Sequence, residues 1–526
     1  MASNVLVADP IANEGIELLK NSVNVEVRTK LTTEELVSII SKYHGLVVRS
    51  ETKVTPEVIT AGVKLQVIGR AGVGVDNIDL DAATLHGIAV VNAPTGNTIA
   101  ATEHAIAMLL SLARHIPQAD YSLKNGEWRR SDFMGTEVRN KTLGIIGLGR
   151  VGSGVARRAA SFDMKLIGYD PFITPEHASH LGVSLMSFDK ILEESDFLTL
   201  HTPMTENTNH LLGEREFSHV KHGIHIINVA RGGLVDESAL LTALENGRVA
   251  GAALDVFSKE PPGDSPLLKH PNVVLTPHLG ASTVEAQAEV ACEVAEQVLD
   301  ILAGQPARYT VNIPFTPPEV QAVVSPYLET ANTLGKIMVQ LSHGQFESIT
   351  ILYQGEIANH DTSMLKAAAL TGFLKPITED RLNLVNANVI ANQRGLRIIE
   401  EKDTSPGEYT SLITLTLNTS EGAMSISGTL LHNDTHIVQV NSNWLDVVPQ
   451  GSYLLFIEHQ DRPGMIGSLG TITGTHDINI GFMAVGRKTP RGHAVMVVGL
   501  DDSMPETALE EIRSHPHITT AKLVKL

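Results

Sequence analysis

Residues 143–170 admit few folds. An apolar run over residues 143–146 enters Gly147-Leu-Gly-Arg-Val-Gly152, a helical pattern leaves it over residues 151–161, and Asp170 closes the apolar run that follows. Each part has a physical role if the turn faces a dinucleotide. Gly147 permits the tight turn, Gly149 lets the backbone approach a pyrophosphate, and Gly152 lets helix and strand pack closely. The helix start presents unpaired N–H groups and a partial positive charge to phosphates. Asp170 stands at the roughly 20-residue spacing at which a carboxylate meets the ribose hydroxyls. Its charge repels a 2′-phosphate, and Pro171 and Phe172 supply no compensating cation. The expected cofactor is NAD rather than NADP.

This turn sits inside a strand–helix rhythm. Candidate strands at 143–147, 165–169, 197–200, 225–229, 250–256 and 272–276 make a complete dinucleotide-binding sheet. An earlier series has strands at 5–8, 23–27, 45–48, 65–68 and 88–91, with helices at 31–43 and 55–61. A long helical stretch over 98–116 links the two series. A second helix runs on from Ser282, and the proline-rich stretch Pro306 to Pro318 marks a boundary. The texture then changes. Residues 327–449 mix helical segments with strands at 411–417, 424–430 and 436–440. From Ser452 the order is strand, helix, strand, strand, helix, strand, over 453–458, 464–475, 479–485, 494–500, 506–514 and 521–526. The expected fold class is α/β: two doubly wound parallel-sheet domains, a flavodoxin-like substrate domain and a Rossmann NAD domain. An α+β intervening domain and a ferredoxin-like βαββαβ unit follow. A chain of 526 residues needs several cores in any case.

Bulk properties exclude some classes. A formal charge of −19 argues against a nucleic-acid partner. Cys292 is the only cysteine, so no internal disulfide forms, and it is expected as a packing residue. No apolar run approaches the roughly 20 residues that cross a bilayer, and the N-terminus has no signal-peptide pattern. A soluble cytoplasmic protein without a membrane partner is expected. His219, His222 and His225 lack acidic or thiol companions at ligand spacing, so no metal is expected.

Three polar residues follow the carboxyl ends of successive strands in the second sheet, where ligands of open α/β sheets bind. They are Arg231, Glu260 and His278. Oxidising a secondary alcohol requires removal of its hydroxyl proton, which histidine takes near neutral pH. A carboxylate on the other ring nitrogen fixes the tautomer, and arginine holds a substrate carboxylate with two parallel hydrogen bonds. His278 is the expected acid/base, Glu260 its partner and Arg231 the carboxylate anchor.

Gly147–Gly152, Asn228-Val-Ala-Arg-Gly-Gly-Leu-Val-Asp236, Ala253-Leu-Asp-Val-Phe-Ser-Lys-Glu-Pro-Pro262 and Pro277-His-Leu-Gly-Ala281 closely resemble the D-isomer-specific 2-hydroxyacid dehydrogenases over roughly residues 1–310. The resemblance implies cofactor contacts at Arg150, Val151, Asp170, Thr202, Ala230, Asp255, His278, Gly280 and Ala281, beside Gly147, Gly149 and Gly152. It also implies a first domain of 1–97 completed by 283–310 and an NAD domain of 98–282, with an intervening domain of 315–450 and a final unit of 452–526.

Within the family, Val48-Arg-Ser50, Gly69-Arg-Ala-Gly-Val-Gly-Val-Asp-Asn77 and Asn92-Ala-Pro-Thr-Gly-Asn97 are similar to the branch acting on 3-phosphoglycerate at the entry to serine biosynthesis. Arg49 and Arg70 follow strands of the first sheet, and two guanidinium groups suit a phosphate. Ser50, Gly72, Val73 and Arg231 join them as expected substrate residues. Arg130 is a further candidate, reaching a neighbouring subunit. The final unit, with His459-Gln-Asp-Arg-Pro-Gly464 and Asp477-Ile-Asn-Ile480, resembles an ACT regulatory domain. That implies L-serine as effector at His459, Asp461 and Asn479, in a homotetramer. Asn383-Leu-Val-Asn-Ala-Asn388 resembles the intervening domain of the same branch. A dehydrogenase for another D-2-hydroxy acid and an NAD-sensing corepressor are the competing readings.

Overall fold

In the computed structural model, which describes residues 3–313, 318–379, 381–405 and 407–526, four sheets organise the chain. Positions 314–317 of the proline-rich boundary, including the start of the intervening domain at 315, lie outside the described residues. The first sheet is parallel, in the order Asn24–Val27, Asn4–Val7, Gly45–Val48, Val67–Arg70, Ala89–Asn92. Side chains alternate across it, as strand geometry requires. Leu6, Leu46, Val48, Ile68 and Val90 enter one core with Leu36, Val58 and Ile59 of the helices Thr33–Ile39 and Pro56–Ala61. Val5, Val7, Val47, Val67 and Val91 enter another with Val290, Val294 and Val298.

Those three valines belong to the helix Val284–Leu302, which returns from far along the chain to cover the first sheet. The approach is close because glycines line it. A Cβ on Gly69 would stand 2.6 Å from Val294 Cγ1, and one on Gly15 would stand 2.6 Å from the Ala291 carbonyl oxygen. Gly15 lies in the helix Asn13–Lys20, which the sequence reading missed, as it missed Leu80–Leu85. The glycine that allows the packing weakens the local helix signal, and six residues are too few to show a period. The strand expected at 65–68 runs instead over Val67–Arg70, so Arg70 is its last residue.

The second sheet is also parallel, in the order Val273–Leu275, Val249–Leu254, Ile224–Asn228, Phe197–Leu200, Thr142–Ile146, Lys165–Tyr169, Ser184–Leu185. It has one strand more than expected, a two-residue edge pair too short to register as a pattern. The strand order reverses between Thr142–Ile146 and Phe197–Leu200, which opens the crevice where such sheets bind ligands. The helix expected over 98–116 divides at His115, whose φ of 49° ends Thr98–Ala113 before Ile116–Lys124.

The third sheet is mixed, in the order Arg397–Asp403, Phe346–Gly355, Ser411–Thr419, Gly422–Leu431, Asp434–Val440, Asn443–Val447. Its helices Leu328–Leu341 and Ser363–Leu374 touch through Gly335 and Gly372. The fourth sheet is antiparallel, Ile480–Arg487, His493–Leu500, Tyr453–Gln460, Ile518–Lys525, the strand order of a ferredoxin-like unit. One face of it (Leu455, Ile457, Met496, Val498) packs on its own helices through Leu469, Leu509 and Ile512. The other face (Leu454, Phe456, Val497, Val524) joins the core of the third sheet.

The intervening domain also grips the first. Asn383 Nδ2 donates to the Gly87 carbonyl at 2.6 Å and Asn386 Nδ2 to that of Leu85 at 3.3 Å, so both amides cap the end of the helix Leu80–Leu85. Among the described residues, no helix is long and apolar enough to cross a membrane.

Gly15→Val is expected to force the helices Asn13–Lys20 and Val284–Leu302 apart at a cost of about 1–3 kcal/mol. Thermal unfolding reads this as a lower midpoint, and an unchanged midpoint would show that the two helices do not touch in solution.

Candidate active site

The three glycines of the turn differ in what surrounds them. Gly147 has φ of 87°, and a Cβ there would meet the His201 carbonyl at 2.6 Å. Gly152 packs so tightly that its Cβ would lie 2.0 Å from the Gly147 oxygen. Gly149, at the start of the helix Arg150–Ala160, has nothing within 4 Å of a Cβ, so the turn faces open space there. The buried hydroxyl of Thr202, which flanks Gly147, has no partner among the described residues. Asp170 braces the turn from the next strand: its carboxylate accepts the N–H groups of Leu148 at 2.8 Å and Phe172 at 2.9 Å. Arg150 reaches across to the Pro94 carbonyl at 3.0 Å, while Val151 stays partly buried against Thr102. An open glycine at a helix N-terminus, an orphan hydroxyl and a strand-end carboxylate fit a dinucleotide.

At the carboxyl ends of the neighbouring strands, Glu260 Oε2 stands 2.7 Å from His278 Nδ1, and Glu260 Oε1 accepts the Phe257 N–H at 3.1 Å. Glu260 therefore occupies one ring nitrogen and leaves Nε2 for a ligand. His278 holds a left-handed φ of 55°, an uncommon conformation for a residue with a Cβ. Its own N–H is anchored to the Asp255 carbonyl at 2.8 Å.

The Asp255 side chain is fully buried beneath this loop. It accepts from Thr276 Oγ1 at 2.6 Å and from the N–H groups of Leu279 at 2.7 Å and Gly280 at 2.8 Å, with His104 Nε2 at 3.2 Å. Burial alone raises its pKa, but these donors outweigh it and hold the carboxyl below its ordinary value. His104 and Thr276 escaped the sequence reading, since neither belongs to a motif. Ala230 is positioned by the buried Asn228, whose Oδ1 accepts its N–H at 3.1 Å, and Ala281 by Gln287, whose Nε2 donates to its carbonyl at 2.7 Å.

Arg49 and Arg70 stand opposite this edge, and Arg231 follows the strand Ile224–Asn228 on it. Arg49 is seated by Asp9, which accepts its N–H at 2.6 Å, and by Asn77, which donates to its carbonyl at 2.9 Å. Arg70 is pushed down to about 10, first by burial and then by repulsion from Arg231 and Arg49, partly offset by Asp76. Its Nε is buried without a partner. Arg231 lies 3.6 Å from Asp76 across the cleft. Gly72 and Gly74 leave room for these guanidinium groups, since a Cβ would fall 1.9 Å from Arg70 Nη1 and 2.3 Å from Arg231 Nη2. Val73 offers its carbonyl to Asn92 Nδ2 at 2.5 Å. Ser50 lines a cleft of about 480 Å³ together with Glu260 and His278. The exposed Arg130, on the turn Arg130–Phe133, stands apart and has no hydrogen bond or ion pair among the described residues.

The three effector candidates do not meet within one chain. His459 is buried with Nε2 unpartnered, and Asp461 accepts from Arg487 and from the Arg491 N–H. Asn479 lies at the far end of the strand Ile480–Arg487 and donates to Asp501 at 2.6 Å.

Comparison with known proteins gives the family and the cofactor. Residues 106–280 match the NAD-binding domain of the D-isomer specific 2-hydroxyacid dehydrogenases, so the site is that of an NAD-dependent oxidoreductase. Residues 323–441 match the D-3-phosphoglycerate dehydrogenase intervening domain and 453–517 the ACT domain. The chain is 47% identical over 526 residues to a D-3-phosphoglycerate dehydrogenase of Synechocystis, covering 100% of this chain and 95% of that one. It is 44% identical to that of Archaeoglobus fulgidus, covering 99% and 100%. Among solved structures, a D-lactate dehydrogenase from Aquifex aeolicus complexed with NAD and lactic acid superposes with a TM-score of 0.54 at 29% identity, over 59% of this chain and 99% of that one. The chain belongs to the D-3-phosphoglycerate dehydrogenase family.

Two glycine substitutions separate binding from folding. Gly149→Val is expected to leave the thermal midpoint near wild type while NADH affinity, followed by fluorescence, falls roughly tenfold or more. Gly152→Val should lower the midpoint, because its Cβ has no room. Equal effects on both quantities in the two variants would refute this division of roles.

Proposed function

We propose that this protein oxidises the C2 hydroxyl of 3-phospho-D-glycerate to 3-phosphohydroxypyruvate, the first step of the phosphorylated route to L-serine. The observation that carries the reading is the convergence of Arg49, Arg70 and Arg231 on a cleft that also holds the His278–Glu260 pair. Arg231 takes the substrate carboxylate in a bidentate pair, which orients the reacting carbon. Arg70 and Arg49 take the phosphate, and a dianion there relieves the mutual repulsion of the cations. Ser50 and the backbone at Gly72 and Val73 complete the substrate side. His278 Nε2 removes the hydroxyl proton, and Glu260 holds the ring tautomer and stabilises the resulting imidazolium. NAD, when bound along the Gly147–Gly152 turn, supplies the hydride acceptor. Gly149, Arg150, Val151, Asp170, Thr202, Ala230, Gly280 and Ala281 would hold it, with Asp255 keeping Leu279 and Gly280 in place.

The effector reading rests on symmetry. The strand Ile480–Arg487 is an edge of its sheet, with Asn479 before one end and Asp461 beside the other. Antiparallel pairing of two such edges brings Asn479 of one subunit to His459 and Asp461 of the next, a site for L-serine. Exposed Tyr121, Leu123, Trp128 and Met134, with Arg130 among them, support a second self-contact and hence a homotetramer. Cytoplasmic localisation fits a chain with a single, unpaired cysteine.

NADH consumption with phosphohydroxypyruvate, against hydroxypyruvate, tests the substrate. A strong preference for the phosphorylated compound is expected. Arg49→Ala should raise its KM far more than that of hydroxypyruvate, and a lack of preference would reassign the arginines. His278→Ala is expected to fold normally and lose roughly 100-fold or more in turnover. L-serine should inhibit the wild type and lose its effect in Asn479→Ala; inhibition that survives this substitution would move the effector elsewhere.

A further inference from the structure

The face of the fourth sheet turned toward the intervening domain is not uniformly apolar. Phe456 pairs with Lys522, and Glu458 with Thr520 and Val495, so all five share that face. Above them the intervening domain supplies the end of the helix Leu328–Leu341, the turn between Ser411–Thr419 and Gly422–Leu431, and Asn441. A cavity of about 300 Å³ remains between the two domains, at the small end of the range for ligand sites.

Its two inner charges do not neutralise each other. Lys522 Nζ donates to the Leu341 carbonyl, and Glu458 accepts one long bond from Asn441 Nδ2 at 3.4 Å. Among the described residues neither forms an ion pair. They are diagonal neighbours on adjacent strands, roughly 7–8 Å apart at the backbone, and their charged ends do not meet in an ion pair. Burial lowers the pKa of Lys522, while Glu458 and Glu421 act in the opposite sense. Partly desolvated opposite charges held apart are costly, and a ligand carrying the complementary pair removes that cost. Phe456, Met424, Val440 and Val495 form an apolar wall beside them.

We propose that this cavity binds a small aliphatic α-amino acid, its carboxylate on Lys522 and Thr520 and its ammonium group on Glu458. The site is separate from the effector edge. Glu458 and His459 are successive residues of one strand and face opposite sides of the sheet. Asp461 and Asn479 lie beyond the strand ends.

Titration calorimetry of the full-length protein with L-alanine tests this, with propionate and ethylamine as probes that each lack one charge. Saturable binding of L-alanine at one site per chain is expected, and neither single-charge probe should match it. Glu458→Gln and Lys522→Met should each weaken binding roughly tenfold or more. Ala423→Phe, on the exposed rim, should block the cavity without touching either charge, and it keeps the test sound if an inner variant fails to fold. Asn479→Ala should leave L-alanine binding intact, and turnover should stay near wild type in every cavity variant. The proposal fails if wild-type protein shows no saturable binding, if propionate binds as well as L-alanine, if Ala423→Phe retains full affinity, or if Asn479→Ala abolishes binding.

Discussion

One buried carboxylate holds the cleft edge of the second sheet in shape. Asp255 gathers the helix Thr98–Ala113 through His104, the strand end through Thr276, and the loop after His278 through two backbone N–H groups. A charge removed from water must be met by donors on every side, and here the donors come from parts of the chain that otherwise have no reason to converge. The same residue's carbonyl anchors the His278 N–H, which keeps that residue in its left-handed conformation. Because the folded carboxyl has a lowered pKa, its stabilising contribution is complete above the ordinary aspartate value and fades as pH falls through the folded one. Acid therefore loosens the loop that carries His278.

Across the cleft the electrostatics run the other way. The chain carries a formal charge of −19, yet the guanidinium groups of Arg49, Arg70 and Arg231 crowd into one cleft from its two walls. Their repulsion costs stability in the free protein, and a Cβ at Gly72 or Gly74 would displace the guanidinium groups of Arg70 and Arg231 from their places. Asp76 reaches Arg231 from the opposite wall and offsets part of that repulsion.

The sequence was most legible where backbone geometry restricts residue choice. The separate roles of Gly147, Gly149 and Gly152, the pairing of Glu260 with His278, and the strand order of the last domain all follow from local pattern. It was least legible where partners are distant or elements short. His104, Asp9 and Asp76 look like ordinary polar residues until the fold brings them to Asp255, Arg49 and Arg231. Phe346–Gly355 was missed although it is ten residues long and alternates Ile349, Ile351 and Tyr353 on its buried face. Asp461 and Asn479 belong to one motif-level expectation but lie at opposite ends of a strand, a separation that spacing along the chain does not reveal.

The return of the helix Val284–Leu302 to the first sheet has a consequence for the order of synthesis. Residues 4–92 leave the ribosome first, but the valines that cover one face of their sheet come nearly two hundred residues later, and the Asn383 and Asn386 amides later still. At roughly 5–20 residues per second, that face waits uncovered for about 10–40 s. The nascent first sheet is thus a partner for whatever binds apolar surface at the ribosome, and the NAD domain, whose strands are contiguous, matures before the domain that precedes it.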